Sequence, residues 1–306
     1  MIRYFFTRLA GAVPTLLIIV TATFFLMRAA PGGPFDREQT LSPEIVANLQ
    51  NAYGLDRPVW VQYAHYLKSL MHGDFGPSFK YKDFTVTELI GQGFPVTLQL
   101  GVMAMALALS VGIPAGIFAA LRHNSAADHA AMSLAVVGIA IPSFVVLPFL
   151  GLLFGVHLHW LPVSGWEPGS LRHLVLPVLA LALPPLAYIA RLTRGSMLEV
   201  LRSHFIRTAF AKGLPLRTVI LRHALRPALM PVASYLVPAV ASIMTGSLVV
   251  ESIAGLPGIG RYLVQGALNR DYTLVLGMVI IYSALLIGMG LLVDLFYAWL
   301  DPRVRQ

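Results

Sequence analysis

Cysteine is absent from this chain, and charged residues are scarce. The 306 residues include no Cys, which excludes disulfides, thiolate metal sites, iron–sulfur clusters and cysteine nucleophiles. Only 12% of the residues are charged against 57% hydrophobic, far from the balance of an ordinary soluble domain. Basic residues outnumber acidic ones by 22 to 14, and in a soluble protein this excess would first indicate nucleic acid binding. The positions of the charges decide how the excess is interpreted.

Charge is missing altogether from six stretches that are long enough to cross a bilayer. A helix crosses roughly 30 Å of hydrocarbon with about 20 apolar residues, and a charge at mid-bilayer costs at least about 3 kcal/mol. The six stretches are 9–27, 89–121, 129–166, 173–190, 227–250 and 272–293. The sequence therefore predicts an all-α integral membrane protein with six transmembrane helices.

Two of these stretches allow a second interpretation. The first follows Arg3 and Arg8 and precedes Ala29-Ala30, as a signal peptide would, but its 19 residues exceed a usual signal core, and we expect a retained helix. The third could hold a tight hairpin of two spans. Its second half, 157–166, has the polar, Pro, Gly and Trp character of an interface loop, and we count the stretch once.

The distribution of Lys and Arg predicts the orientation. With the N-terminus inside, 13 of the 22 basic and four of the 14 acidic residues are cytosolic, which gives +9 there and −1 outside. The densest part is 191–226, with eight basic residues and a single acid, Glu199. The positive-inside rule then predicts that both termini are cytosolic. The overall excess of +8 is therefore explained by the orientation of the chain in the membrane, and no nucleic acid partner is expected.

The predicted outer loop has the signals of two short helices. Ser42 is a suitable N-cap and Gly54 a suitable C-cap for the first. The second follows Pro58 and ends near Gly73, with its apolar side formed by Trp60, Tyr63, Leu67 and Leu70. We expect these apolar sides to pack on the protein's own outer surface, and contact with a partner is the alternative.

The predicted inner loop has the layout of a helix, a sharp turn and a second helix. Residues 205–212 have helical composition, Gly213 is a natural left-handed stop, and Leu214-Pro215 opens the next helix. A cytosolic partner could bind such a rigid projection. The same basic residues could instead serve as an orientation signal or attract anionic lipid.

At this loop the chain resembles the inner-membrane permease subunits of binding-protein-dependent, ATP-driven importers. Their signature runs Glu-Ala-Ala, three residues, Gly, nine residues and Ile-x-Leu-Pro. Here Arg207-Thr208-Ala209 takes the first positions, Gly213 the glycine and Leu225 the leucine, while Pro227 stands one place late. The peptide-importer branch is similar almost residue for residue over 207–209, 211–213 and 221–225.

Further stretches resemble the peptide and nickel permeases of the same family. They are 53–58, 62–63, 73–78, 251–260, 267–272 and 301–303. The segment 79–83 is more similar to the oligopeptide B-type subunit than to the dipeptide one. The resemblance thus covers the whole chain.

The resemblance implies a type I-like importer permease fold with three parts. These are an N-terminal segment and first span (1–28), a periplasmic loop (29–95) and a five-helix core (96–306) with a coupling loop at about 194–230. It implies that a coupling helix docks on an ATPase subunit through Phe205, Arg207, Thr208, Ala209, Lys212, Gly213, Leu214 and Pro215. It also implies an outer gate at Gly255, Pro257, Gly258 and Gly260.

The implied assembly has a second homologous permease subunit, two ATPase subunits and a periplasmic peptide-binding protein, surrounded by lipid of the bacterial inner membrane. The chain has no Gly-x4-Gly-Lys-Ser/Thr loop. We therefore expect no catalytic residue, cofactor or metal here, and ATP and Mg are expected on the ATPase partners. Import of oligopeptides is the expected function, with dipeptides, nickel or another small solute as alternatives.

Two other function classes are weaker. A stand-alone secondary transporter normally needs acids deep in its spans. We expect the span-bordering carboxylates, Glu251 and Asp294, to lie within reach of solvent or a basic neighbour. An intramembrane enzyme would need a motif such as His-Glu-x2-His or Gly-x-Ser-x-Gly, and both are missing.

Three smaller patterns concern packing. Gly112/Gly116 and Gly151/Gly155 each fit Gly-x3-Gly, which permits close helix contact. Pro184-Pro185 is expected to bend the fourth span. His157-Leu-His159 lacks the nearby carboxylates or thiols of a metal site.

Overall fold

The computed structural model describes residues 2–29, 54, 56–81 and 83–300, and their side chains between 10 and 295. The only extended pairing within these ranges is one isolated bridge between Pro77 and Thr85. The helix predicted between Ser42 and Gly54 lies outside the described residues, apart from Gly54 itself.

The described chain is built almost entirely of helices. In chain order they are α1 (Ile2–Ala29), α2 (Val59–Met71), α3 (Val86–Leu121), α4 (Ala126–Ala140), α5 (Ser143–Leu150), α6 (Arg172–Leu201), α7 (His204–Ala211), α8 (Leu216–Thr218), α9 (Leu225–Ala228), α10 (Met230–Ala254), α11 (Ile259–Asn269) and α12 (Tyr272–Leu300). A π-helical stretch, Gly151–His157, continues α5, and another, Val219–Ala224, joins α8 to α9.

Five helices are long and apolar enough to cross a membrane: α1, α3, α6, α10 and α12. The pair formed by α4 and the continuous α5 and π-helical segment meets the same criterion together and is bent by 106°. Counted as one span, this pair brings the number to six, as the charge-free stretches predict. The prediction of an all-α membrane protein is confirmed.

The third charge-free stretch is a broken pair of helices, where the sequence predicts a single span. Helix α4 ends at Ala140, and Ile141 is extended with φ −92° and ψ 119°. A proline disfavours the helical conformation of the residue before it, and Pro142 stands at the start of α5 with φ −61°. Beyond His157 the chain leaves the helix, as the interface-loop prediction requires.

Helix α6 remains one element although it contains Pro177, Pro184 and Pro185. The expected bend at Pro184-Pro185 is not large enough to divide it. Helix α6 contacts α4, α5 and α10, and it packs closely on α3: a Cβ at Gly112 would lie 2.8 Å from the Leu186 carbonyl oxygen. The first Gly-x3-Gly pattern is therefore a helix contact, while the second, at Gly151 and Gly155, faces Val163 of the following loop.

The chain divides into two compact units. The larger unit comprises Met1–Leu9, Leu98–Leu256 and Leu286–Gln306, and the smaller one comprises Ala10–Thr97 and Pro257–Leu285. One apolar cluster of the larger unit joins Ala108, Ile189 and Val232. It fixes the middle of α6, which leads directly to α7.

In the smaller unit, α2 packs on α1 and on the first half of α12. Its Tyr63, Tyr66 and Leu67 contact a cluster that includes Phe24 of α1 and Leu276 of α12. This confirms that the second loop helix lies on the protein's own surface. Trp60 was expected on the packed side; its ring lies 5.0 Å from that of Phe25, yet the side chain is 72% exposed, and Tyr66 is the buried residue instead.

A buried carboxylate holds the loop that follows α2. Asp271 precedes α12, and its Oδ2 accepts hydrogen bonds from Ser78 Oγ at 2.5 Å and from the Phe79 and Lys80 amides at 3.0 and 3.2 Å. Its Oδ1 accepts from the Leu274 amide at 3.1 Å, which is an N-terminal cap of α12. One side chain thus orders a loop and starts a helix nearly 200 residues later.

Candidate functional site

The predicted docking segment forms a short amphipathic helix, α7. Its residues Ile206 and Ala209 are buried, and their spacing of three places them on one side of a helix. They pack on residues of α3, α6, the second π-helical stretch and α9, namely Ala120, Met197, Val219, Ile220, Ala224 and Ala228. The small size of the alanines lets α7 lie close to these neighbours, which fixes its position on the larger unit.

The turn after α7 is set by Gly213. Its φ is +77°, in the left-handed region where a side chain costs roughly 1 kcal/mol. The Gly213 amide donates to the Phe210 carbonyl at 2.9 Å, and the Leu214 amide donates to the Ala209 carbonyl at 3.3 Å. This pair of bonds is the Schellman motif, and it confirms the predicted left-handed stop. The next helix begins at Leu216, after Pro215.

Two of the predicted docking residues face the protein itself. Ala209 is buried, and Leu214 packs against the apolar cluster beneath α7. A hydrophobic residue after the left-handed glycine commonly makes this contact in a Schellman motif. Ala209 and Leu214 therefore hold the helix and its turn in place from below.

The other predicted docking residues are exposed. Phe205 is 50% exposed, and two further apolar side chains that were not among the predicted residues, Phe210 and Leu216, are 44% and 52% exposed. Also on the surface are Arg207, Thr208, Lys212, Gly213 and Pro215. Large apolar side chains rimmed by charge on a short, well-supported helix are typical of a surface that binds another protein. A Cβ at Gly213 would meet nothing within 4 Å, which leaves the turn open to a partner.

The segment of the predicted outer gate is a tight break between α10 and α11. Gly255 ends α10 with φ +70°, and Gly258 is the N-cap residue of α11, whose first turn includes Gly260. Next to Gly258, the Ile259 amide donates to Thr97 Oγ1 at 3.0 Å. A Cβ at Gly93 would lie 2.9 Å from that amide nitrogen. The gating role is not tested by this geometry and stays a prediction.

A buried ion pair near α7 was not foreseen. Asp128, in the first turn of α4, is 0% exposed and accepts from Arg194 Nε at 2.5 Å and Nη2 at 2.7 Å. Oδ2 also accepts from the Asn124 amide at 3.0 Å, and His123 Nδ1 lies 3.3 Å from Arg194 Nη2. This bidentate ion pair joins the turn between α3 and α4 to α6, seven residues before α6 ends at Leu201. The residues Ser125 and Asp128 gave one local signal, because Ser125 caps α4 by accepting from the Asp128 amide.

Glu251 is buried, which excludes one of the two environments expected for it. The sequence places it at the end of a span, within reach of solvent or a basic neighbour, whereas its side chain is 0% exposed in the structure. Solvent access is therefore wrong for this carboxylate. Among the described residues, Asp128 and Glu251 are the two fully buried carboxylates of the larger unit.

Comparison with known proteins identifies the relatives of the chain. Residues 112–306 match the family described as the binding-protein-dependent transport system inner membrane component, and residues 1–101 match the family described as the N-terminal part of the membrane component of such systems. The chain is 54% identical over 305 residues to the oligopeptide transport system permease protein OppB of Escherichia coli (strain K12), covering 100% of both chains. It is 51% identical to OppB of Haemophilus influenzae, again over 100% of both chains. The dipeptide transport system permease protein DppB of Bacillus subtilis is 47% identical over 100% of this chain and 98% of its own. The chain belongs to the family of inner membrane components of binding-protein-dependent transport systems.

Proposed function

We propose that this chain is a transmembrane subunit of an ATP-driven importer that carries peptides, with oligopeptides as its main substrates. The observation that carries the proposal is the 54% identity along the full length of an oligopeptide system permease. The 47% identity to a dipeptide system permease supports the same machinery with shorter substrates as the alternative.

The proposed partners are a second, homologous permease subunit, two ATPase subunits that bind ATP and Mg, and a peptide-binding protein outside the membrane. Helix α7 is the proposed contact with an ATPase subunit. Its buried side holds it to α6 and α9, and its exposed Phe205 and Phe210 offer apolar area to a groove. A rigid attachment of this kind would convert movement of the ATPase into movement of the helices that α7 contacts.

The experiment is purification of this chain from mild detergent with a tag at one end, followed by reconstitution in proteoliposomes with the binding protein. We expect co-purification of a similar-sized membrane subunit and two ATPase polypeptides. Labelled peptide uptake should require ATP and survive a proton ionophore. Isolation as an active lone protein, or uptake that survives ATP depletion and collapses with the proton gradient, would contradict the proposal.

Competition in the same vesicles then separates the substrate classes. Unlabelled peptides of two to six residues compete against a labelled tetrapeptide, and nickel is included as a further competitor. Stronger competition by the longer peptides is expected. Competition by dipeptides alone would identify dipeptides as the substrates and would leave the proposed ATP-driven import unchanged.

A further inference from the structure

A cavity of about 360 Å³ lies in the smaller unit where α1 ends and α2 crosses it. Its polar lining includes Arg28, Arg57, Gln62, His65 and Asp74. This volume is at the lower end of the range for small-molecule sites. The cavity would accommodate a compact polar group.

Arg28 is the half-buried guanidinium of this cavity. Its Nε and Nη2 donate to Gln62 Oε1 at 3.0 and 2.6 Å, and its guanidinium lies 4.9 Å from the centre of the Phe24 ring and 5.6 Å from that of Tyr272. Among the residues that the structure describes, no carboxylate lies within 4.0 Å of it. A neutral amide and two ring faces stabilise a guanidinium without neutralising it, and a half-buried charge favours a counter-charge.

The remaining charges of the cavity add to this imbalance. Arg57 also lines it, and within the described ranges its guanidinium forms no ion pair. The acid in the described part of the lining is Asp74, whose Oδ1 already accepts from the Gly76 amide at 2.8 Å. Among the described lining residues, two guanidiniums and one carboxylate leave an excess of one positive charge. A group with one negative charge would balance the cavity.

The position of Arg28 at the end of the first span indicates the source of the negatively charged group. Arg28 lies in the last turn of α1, at the end of the apolar stretch Ala10–Ala29, where a span reaches the headgroup layer. Trp60 of α2 stands beside this end, 72% exposed, and exposed tryptophans are typical of the membrane–water interface. At this depth the most abundant single negative charge is the phosphodiester of a lipid.

We propose that this cavity binds the phosphate of an anionic phospholipid headgroup, with Arg28 and Arg57 as donors. The planar guanidinium fork of each arginine matches two phosphate oxygens. The proposal concerns α1 and α2 and is independent of peptide transport. Its failure would leave the proposed function intact.

The test is lipid binding to the purified full-length complex, measured by native mass spectrometry after delipidation. Phosphatidylglycerol, phosphatidylcholine and inorganic phosphate are titrated separately onto the wild type and onto Arg28→Gln, Arg28→Lys and Arg172→Gln. Arg172 is the matched control, because it also stands at the end of a span and donates to a backbone carbonyl, that of Trp160. Melting temperatures in detergent verify that each variant is folded.

We expect phosphatidylglycerol to bind the wild type at least about tenfold more tightly than phosphatidylcholine, a gap of about 1.4 kcal/mol. Arg28→Gln should lose this preference, Arg28→Lys should keep part of it, and Arg172→Gln should keep all of it. Equal binding of the two lipids to the wild type would overturn the proposal, as would unchanged selectivity in a folded Arg28→Gln. Inorganic phosphate that binds as tightly as the lipid and displaces it would overturn the lipid source in favour of a free anion.

Discussion

Helices α2 and α7 end with the same backbone hydrogen bonds. They differ in the side chains that they bury and in those that they expose. After α2, the Gly73 amide donates to the Leu70 carbonyl and the Asp74 amide to the Ser69 carbonyl, at 3.0 and 3.1 Å. These are the same two bonds that close α7 at Gly213. The φ angles of the two glycines are +74° and +77°, and a Cβ on either would meet nothing within 4 Å.

The two helices differ in the size of the side chains they bury. Helix α2 packs aromatic rings, with Tyr63 and Phe24 5.3 Å apart, while α7 packs Ile206 and Ala209 mainly against alanines and other aliphatic residues. After the turn, α2 continues with the exposed Asp74, and α7 continues with Leu214, which returns to the cluster. The turn at the end of a helix therefore does not distinguish a docking helix from a helix that packs on its own protein. The exposed side chains make that distinction.

The largest effect is expected when an aspartate replaces the glycine of the α7 turn. Gly213→Asp adds a charge to the proposed ATPase contact, and a hot-spot position in such a contact is worth about 2 kcal/mol or more, roughly thirtyfold in affinity. ATP-dependent uptake should fall by a similar factor while membrane insertion is retained. ATP hydrolysis without uptake would identify the defect as uncoupling.

Gly73→Asp is the matched control for this comparison. It places the same residue at the same φ, also in open space, and it should cost the same roughly 1 kcal/mol of local strain. Uptake should remain close to that of the wild type. Equal loss in the two variants would mean that strain, and not docking, explains Gly213→Asp.

The second prediction concerns the buried ion pair of the larger unit. Arg194→Leu leaves Asp128 buried without its main partner, which should lower the free energy of unfolding by about 3 to 5 kcal/mol. Arg191→Leu on the same helix removes a contact with the Tyr188 ring at 4.9 Å and a charge near Tyr235, and we expect a cost of about 1 kcal/mol or less. Thermal unfolding in detergent compares them, and similar melting temperatures would contradict the importance of the pair.

The buried aspartate of the smaller unit should be more tolerant. In Asp271→Asn one amide group faces donors such as Ser78 Oγ and the Phe79 amide, which should cost about 1 to 3 kcal/mol. This is less than for Arg194→Leu, because no uncompensated charge remains. Asp56→Asn on the exposed surface is the control. The reverse order of melting temperatures would show that a charged pair is not the stronger anchor.

The smallest expected effect is on stability, when either of two tyrosines on successive turns of α2 is replaced by phenylalanine. Burial raises the pKa of Tyr66, and its hydroxyl has no hydrogen-bond partner in the described part of the chain. Tyr66→Phe should therefore be neutral or stabilise by up to about 1 kcal/mol. Tyr63 shares a 2.6 Å hydrogen bond with Thr21, and Tyr63→Phe should destabilise by about 1 kcal/mol. Calorimetry in detergent would detect both shifts, and a clear loss in Tyr66→Phe would contradict the assignment.

The spans were predictable because hydrocarbon excludes charge, a constraint that can be read from single residues along the chain. The turn at Gly213 was predictable for a similar reason, since its glycine requirement is local. The break at Pro142 was not, although proline is visible in the sequence. Pro184 and Pro185 lie in an uninterrupted α6, which contacts α4, α5 and α10, and local sequence does not reveal such packing.

The partners of buried polar groups were beyond the sequence for the same reason. Asp128 and Arg194 are 66 residues apart, and Arg28 and Gln62 are 34 apart. Helical and strand periods relate residues within one element, and both of these pairs join different elements. With the N-terminus inside, Asp128 and Arg194 both fall on the cytosolic side, as their contact requires, but a count of charges gives no reason to pair them. For Glu251 the sequence left solvent and a basic neighbour open, and the complete burial of the side chain excludes the first.

The number of membrane crossings is even or odd depending on whether the two helices joined at Pro142 cross the membrane together. If α4, α5 and the π-helical stretch together make one crossing, the crossings are even in number and the two termini share a face of the membrane. If the pair enters and leaves by the same face, the number is odd and the termini are opposed. The predicted cytosolic position of both ends therefore requires the chain to complete its crossing despite a bend of 106°. Whether the chain completes its crossing after the bend therefore decides which compartment the C-terminus occupies.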